Sequence, residues 1–461
     1  MEELLLLAPP LHFERHLRRS FQPPLNLLYL CSYLRSRGVL SDLHESLSVD
    51  DAVETIVKRS PLLVGIPLYY ASLPTTFAIV KKVREISPDI RFAAGGPCLT
   101  MEPERMMNSG GFDFGIRGEG EETLLELFMA VKANSALRPI EGLVFFDEGI
   151  LQINELRSPI KNLDDLPFLD FSLIDNDYYF DFQQRSGVPE TIFLNTSRGC
   201  SFRCSYCCTP VLWPGPVRRY SPQRMLKEII FQLQQFPGAE IGFCDDSFFS
   251  DRRWLDCFLQ LIKPVGLRFQ CIGRADHLDP EYIEKLADAG MTYIAFGVET
   301  GNQSRQARLR KHLDFKRMFD TMSCLQRFDV KTKCFFMLGF PDETPDEMVE
   351  TINLAADLKR AGMDYFSIFP VTVYPGTELA QQFPRDSFEC GLDAHMPEII
   401  RDGLEITSSC EFLDSRYNDF LSQRQMAEVV SFAWQKVELG QNVTLSELLS
   451  IMNKSGGHTT F

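Results

Sequence analysis

Short apolar runs alternate with amphipathic stretches along the first 135 residues. Leu4–Ala8, Leu62–Leu68, Ile90–Ala94 and Phe112–Ile116, with a weaker run at Val39–His44, have the length of buried strands. Between them Leu25–Arg37, Thr75–Ile86 and Glu121–Ala133 repeat apolar residues at helical spacing. Strand–helix alternation of this kind predicts a parallel, doubly wound sheet. Ligands of such sheets sit beyond the carboxyl ends of the strands, where the strand order switches. Here those ends carry Ala8-Pro9-Pro10, Tyr69-Tyr70-Ala71-Ser72, Gly95-Gly96-Pro97 and Arg117-Gly118-Glu119-Gly120. Gly95 and Gly96 let a backbone approach a bulky ligand closely, although tight turns alone account for any single loop.

Residues 136–185 read as a connector. Gly142–Phe146 and Ile150–Ile153 flank Asp147-Glu148-Gly149 as a hairpin, and an irregular stretch rich in Asp and aromatics follows. From about residue 190 the alternation resumes. Six strand candidates, Thr191–Thr196, Glu240–Cys244, Arg268–Ile272, Tyr293–Val298, Thr332–Leu338 and Tyr365–Phe369, are separated by helical patterns such as Arg224–Phe236 and Pro345–Ala361. Six units predict a partial (β/α)6 barrel of the TIM type, whose chemistry lies on the loops after the strands. The expected order is therefore an α/β chain: a Rossmann-like domain over 1–140, a hairpin and linker over 141–188, a partial barrel over 189–380, and a mainly helical region over 381–461.

Charge and cysteine usage narrow the partners. The 461 residues carry a net charge of −16, which argues against a polyanionic partner, because nucleic-acid binding rests on neutralising phosphates. Local basic pairs, Arg18-Arg19 and Arg218-Arg219, read as solvated faces or anion contacts. Thirteen cysteines, odd in number and scattered, fit a reducing cytoplasm. The run Leu4–Ala8 is too short for a signal core, and no stretch approaches the length of a membrane span.

The chemistry concentrates after the first barrel strand, in Ser197-Arg198-Gly199-Cys200-Ser201-Phe202-Arg203-Cys204-Ser205-Tyr206-Cys207. Three thiolates spaced by three and then two residues suit three corners of a cubane iron–sulfur cluster, leaving the fourth iron without a protein ligand. Zinc asks for a fourth ligand and paired C-x2-C knuckles, and no second knuckle occurs. Cys208 competes with Cys207 for the third position. After the second strand, Asp245 and Asp246 suit a cationic ammonium, or a turn and helix cap toward Asp251. Arg274 ends the third strand and suits a carboxylate, or an ion pair with Asp276 or Asp279. Glu299, in Gly297-Val298-Glu299-Thr300, can accept hydrogen bonds from a ribose diol. Gly339-Phe340-Pro341-Asp342-Glu343-Thr344 reads first as a helix start, with Thr344 as N-cap and Pro345 in the first turn.

Taken in order, these segments resemble the cobalamin-binding-domain branch of the radical S-adenosylmethionine (SAM) enzymes, over about residues 1–380. The C-x3-C-x2-C loop carries the resemblance. Ala8-Pro9-Pro10, Pro24–Leu30, Gly95-Gly96-Pro97 and Arg117–Glu121 match the B12-type half; Asp245–Phe248, Gly297–Thr300 and Pro375-Gly376-Thr377 match the catalytic half. The resemblance implies a [4Fe-4S] cluster on Cys200, Cys204 and Cys207, and SAM near Asp245, Asp246, Arg274 and Glu299. It also implies cobalamin at the face holding Gly95 and Gly96, a small-molecule substrate and an electron-donor protein or reductase. The expected reaction is methylation of an unactivated carbon. The alternative is a cobalamin-independent dehydration, deoxygenation, epimerisation or cyclisation. Two departures stand out: Cys98 replaces the His that often follows Gly-Gly-Pro, and the only echo of a D-x-H-x-x-G loop is Asp42-Leu43-His44.

Overall fold

The computed structural model describes residues 4–10, 22–383 and 421–454; the Arg18-Arg19 pair and the polar tail lie outside them. The chain forms two compact units. One comprises Met1–Leu194 with Val211–Ala239, the other Asn195–Pro210 with Glu240–Phe461.

In the first unit, β1 (Leu4–Ala8), β2 (Ser41–Glu45), β3 (Leu63–Pro67), β4 (Arg91–Gly95), β5 (Phe114–Ile116), β6 (Leu143–Asp147) and β7 (Ile150–Ile153) form one sheet. Their order is β2-β1-β3-β4-β5-β6-β7. The first five are parallel; β1, β3 and β5 run nearly all buried, as strands covered on both faces must be, and the edge strand β2 is only partly so. The order 2-1-3-4-5 is that of flavodoxin-like sheets, with its switch between β1 and β3. Helices follow the predicted stretches closely: Leu25–Ser36, Leu73–Ile86 and Glu121–Ala133.

The hairpin expected in a connector instead extends this sheet. β6 pairs antiparallel with β5, and β7 with β6. Glu148 (φ 50°) and Gly149 (φ 80°) make the two-residue turn, both in the left-handed region that the strand twist favours. The irregular stretch also contains a helix, Asn176–Arg185, capped where the Asp175 carboxylate accepts from the Tyr178 amide. Arg218, read as part of a solvated face or an anion contact, is mostly buried and pairs with the Glu119 carboxylate.

The six strands expected from residue 190 onward all form. Thr191–Leu194 closes the first unit and runs directly into Asn195. The other five, Glu240–Phe243, Phe269–Gly273, Met291–Glu299, Lys331–Leu338 and Tyr365–Pro370, lie side by side and parallel in that order. Phe243, Phe248, Phe258 and Phe269 make the largest aromatic packing of this unit, with Phe243 and Phe248 stacked at 5.0 Å. Phe249 rests on Gly273, where an added Cβ would lie 2.1 Å from its ring. That contact fixes the strand end one residue before Arg274.

The C-terminal helices Gln423–Glu438 and Leu445–Lys454 belong to the second unit. Trp434 packs on Phe366 of the last strand at 5.4 Å, and Asn353 bonds both the amide and the carbonyl of Val443. Among the described residues, no helix is long and apolar enough to cross a membrane.

Candidate functional site

The cysteine loop is built by carboxylate and backbone ties within the second unit. Asp245 is buried, and the Thr196 amide (3.1 Å), Thr196 Oγ1 (2.8 Å) and Ser197 Oγ all donate to it. The loop therefore starts from a fixed point. Gly199 then turns at φ 94°, and the Cys207 amide closes a turn on the Cys204 carbonyl at 3.1 Å. Further on, Ser205 donates its amide to the Leu309 carbonyl (3.2 Å), and its carbonyl accepts from Leu379 (2.8 Å).

Cys200, Cys204 and Cys207 are free and half-buried. Burial pushes the Cys200 and Cys207 thiols up, and the charges of neighbouring thiols add to that. Cys200 feels both Cys204 and Cys207, and Cys207 feels Cys204. Cys208 is pushed up to about 11, mainly by burial and then by the charge of Cys207. Cys200, Cys204 and Cys207 are thus close enough in one loop to act on one another electrostatically. Among the described residues, no three His, Cys, Asp or Glu side chains close on a single ion, the arrangement zinc needs. A cubane places each thiolate on a different iron, so its ligands need not converge on one point. The donor set fits that group.

Around the loop stand the ends of the next three strands. Asp246 is exposed, and Thr209 Oγ1 donates to it at 3.2 Å. Arg274 is buried and heavily engaged. Its Nε and Nη2 reach Asp276 at 3.0 and 2.7 Å, Nη2 also donates to the Lys311 carbonyl, and Nη1 lies 4.0 Å from Cys204 Sγ. Its guanidinium lies over the Phe202 ring at 4.1 Å. Of the two ion pairs open from sequence, the one with Asp276 forms; Asp279 pairs with Arg252 instead.

Glu299 occupies a left-handed position (φ 70°) at the end of its strand and is buried. Tyr206 Oη and Lys311 Nζ both donate to its Oε1, at 2.9 and 3.0 Å. Burial first, then the Glu299 charge, hold the Tyr206 hydroxyl well above its ordinary pKa, so it stays a donor. Gly297 is required beneath this pair. A Cβ there would lie 2.2 Å from Glu299 Oε1 and 2.8 Å from Lys311 Nζ.

Lys311 and Tyr206 are the site residues that sequence reasoning missed. Lys311 lies in Leu309-Arg310-Lys311-His312, which reads as a solvated basic stretch. Tyr206 was legible only as an aromatic beside a cysteine. The helix-start reading of the fifth loop holds: Thr344 caps the helix Pro345–Arg360 in a capping box with Glu347.

In the first unit, Gly95 ends β4, and a Cβ there would meet nothing nearer than 3.9 Å. Gly96 turns at φ 84°, with its Cβ position 3.3 Å from the Leu68 amide. Gly96 thus serves a tight turn against the Leu68 backbone, and both glycines end the strand beside β3, at the edge of the sheet where ligands of such folds bind. Cys98 is fully buried, and His44 bonds Asp51 and Thr55 beside β2.

Comparison with known proteins agrees with this division. The radical SAM superfamily model matches residues 194–355, and the B12 binding domain model matches residues 18–128. An uncharacterized methyltransferase of Pyrococcus horikoshii is 29% identical over 386 residues, covering 82% of each chain. Cytidylyl-2-hydroxyethylphosphonate methyltransferase of Streptomyces wedmorensis is 24% identical over 441 residues, covering 84% of this chain and 82% of that one. The structure of the radical SAM methyltransferase TsrM from Kitasatospora setae, with cobalamin and a [4Fe-4S] cluster bound, superposes with a TM-score of 0.67. It is 17% identical and covers 83% of this chain and 75% of that one.

Proposed function

We propose, for a chain that belongs to the radical SAM enzymes carrying a B12-binding domain, that it methylates an unactivated carbon of a small molecule. The observation that carries this reading is the pairing, in one chain, of a three-thiol loop on a parallel barrel with a B12-type sheet. Two relatives named as methyltransferases align with this chain over 82% of their own length. Bound to this scaffold, the cluster supplies one electron for cleaving SAM to a 5′-deoxyadenosyl radical, and cobalamin supplies the methyl group.

The protein's own part is to hold and orient. Cys200, Cys204 and Cys207 take the three protein corners of the cluster. Glu299 presents its second oxygen to the ribose hydroxyls of SAM, over the bare backbone of Gly297. Asp245 is committed to Thr196 and Ser197, so exposed Asp246 is the carboxylate that meets SAM's ammonium. Arg274 leans on Cys204 and Asp276 at the edge of the same site. Gly95 and Gly96, at the end of β4 beside the switch-point strand β3, would border the corrin ring. Electrons reach the site from a low-potential donor protein or reductase.

The test is anaerobic. Full-length protein reconstituted with iron, sulfide and cobalamin is given SAM, dithionite and candidate substrates. Retained corrinoid, with both 5′-deoxyadenosine and S-adenosylhomocysteine formed, is the expected result. Deoxyadenosine alone from protein that retains no corrinoid would replace methyl transfer by a dehydration, deoxygenation, epimerisation or cyclisation. Neither product forming would overturn the radical reading itself.

A further inference from the structure

Between the fourth barrel strand and the helix Phe315–Arg327 the chain does something costly. Arg310 (φ 55°) and His312 (φ 54°) both adopt the left-handed conformation, one on each side of Lys311. Non-glycine residues seldom take it, and such strain persists only where the surroundings over-determine it. Here Gln306 is the anchor. Its carbonyl accepts the Lys311 amide at 2.9 Å, and its side chain donates to the carbonyls of Val298 and Thr300, both at 2.7 Å.

The strained turn aims main-chain acceptors at the cysteine loop. The Leu309 carbonyl takes the Ser205 amide at 3.2 Å, the Arg308 carbonyl takes Ser205 Oγ at 3.4 Å, and the Lys311 carbonyl takes Arg274. The Lys311 side chain turns the other way. It is buried, and its Nζ reaches Glu299 Oε1 at 3.0 Å, where Tyr206 Oη also arrives. Among the described residues, Glu299 Oε2 takes no hydrogen bond.

A buried ion pair is a poor way to gain stability, because desolvating both charges offsets most of their attraction. Its strength is in fixing geometry. Two donors on one oxygen leave the carboxylate a single orientation. We propose that Lys311 is a positioning residue that pins Glu299 through Oε1, so that Oε2 is presented to the ribose of SAM. Through its main chain it keeps Arg274 and the cysteine loop in register with that carboxylate. This rests on the reading of the pocket as a SAM site. Tyr206, between Cys204 and Cys207, makes the same oxygen a direct link between the cluster loop and that site.

The experiment uses the reconstituted full-length chain and SAM itself. Lys311→Met, Lys311→Arg and, as a surface control, Lys316→Met are compared for iron content, for SAM affinity by equilibrium dialysis, and by electron paramagnetic resonance of the reduced cluster with and without SAM. Lys311→Met should keep its iron and its SAM-free spectrum. Its SAM affinity should fall about tenfold or more, the size of one charged hydrogen bond. The SAM-induced spectral change should move to correspondingly higher concentration. Lys311→Arg should recover much of the affinity, and Lys316→Met all of it.

Lys311→Met that binds SAM within about twofold of the native chain would overturn the proposal. Should Lys311→Met lose its iron, Tyr206→Phe decides, since it removes the other bond to Oε1 without touching charge or main chain. It is expected to weaken SAM binding several-fold with iron retained; unchanged binding would overturn the proposal. A native chain that holds its cluster but binds no SAM would overturn the SAM-site reading, and this inference with it.

Discussion

Glu343 is a carboxyl wholly withdrawn from the surface. It closes the turn after the fifth barrel strand: its Oε2 accepts the amides of Gly339 at 2.5 Å and Phe340 at 3.1 Å. The side chain is fully buried, and Oε1 has no partner among the described residues. Burial pushes its pKa from 4.5 up to about 7, against the opposing pull of Arg305 and the two amides. Between those two values the folded chain keeps a proton that the unfolded chain has released. Its contribution to stability is therefore fully present below pH 4.5 and is lost as pH rises through 7. Integrated from pH 5 to pH 8, that shift is worth about 2.5 kcal/mol.

The perturbation that isolates this is Glu343→Gln, which keeps the accepting oxygen and cannot ionise. Its amide nitrogen replaces the unpartnered oxygen at a cost that does not depend on pH. Thermal melts of both proteins, oxygen-free with the cluster reconstituted, should be run from pH 5 to pH 8. The native midpoint should fall relative to the variant by roughly 5 °C over that range, from the usual entropy of unfolding for a domain of a few hundred residues. A difference between the two melting curves that stays flat with pH would refute the argument. It would mean that Glu343 is ionised throughout, or finds a proton donor in the folded chain.

Cys204→Ala should abolish reductive SAM cleavage and lower bound iron well below the roughly four atoms per chain of a cubane; activity retained in that variant would remove the cluster from the loop. Asp245→Ala leaves three donors at the start of the loop without their acceptor and should destabilise the reconstituted chain by about 2–4 kcal/mol, read as a lower melting point and faster loss of iron. In Gly297→Ala the new methyl would displace Glu299 and Lys311, so SAM affinity should fall with the fold intact, measured by dialysis and circular dichroism. Gly290→Ala meets backbone: its Cβ would lie 1.8 Å from the Leu267 carbonyl oxygen at φ 103°. It should cost about 3 kcal/mol or more and accumulate as insoluble protein on expression.

The strands and helices were legible because their apolar residues repeat with the period of the element. Leu4–Ala8 and Glu121–Ala133 match residue for residue. The helix Asn176–Arg185 was not, because it buries only Tyr179 and Gln183 and so has no apolar stripe; Asp175 at its cap was the remaining signal. The hairpin was readable, but its place on the sheet edge was not, since pairing partners distant in sequence leave no local mark. At the site, residue types were legible and their commitments were not. Asp245 and Arg274 look like ligand groups in sequence, yet Asp245 serves Thr196 and Ser197, and Arg274 serves Asp276 and Lys311. Lys311 was invisible because two left-handed neighbours turn it inward from a stretch that reads as solvated surface.

The division of the chain bears on how the protein is made. Residues 195–210 belong to the second unit, yet they are spelled between two pieces of the first. Cys200, Cys204 and Cys207 leave the ribosome before Leu309 and Leu379, the residues whose main chain will hold their loop. At ordinary elongation rates the stretch from Cys207 to Leu379 takes roughly 10–35 s to synthesise. For that time the thiols are nascent, unclamped and open to oxidants or stray metals. The backbone clamp on the loop is therefore complete only when nearly the whole barrel has been translated.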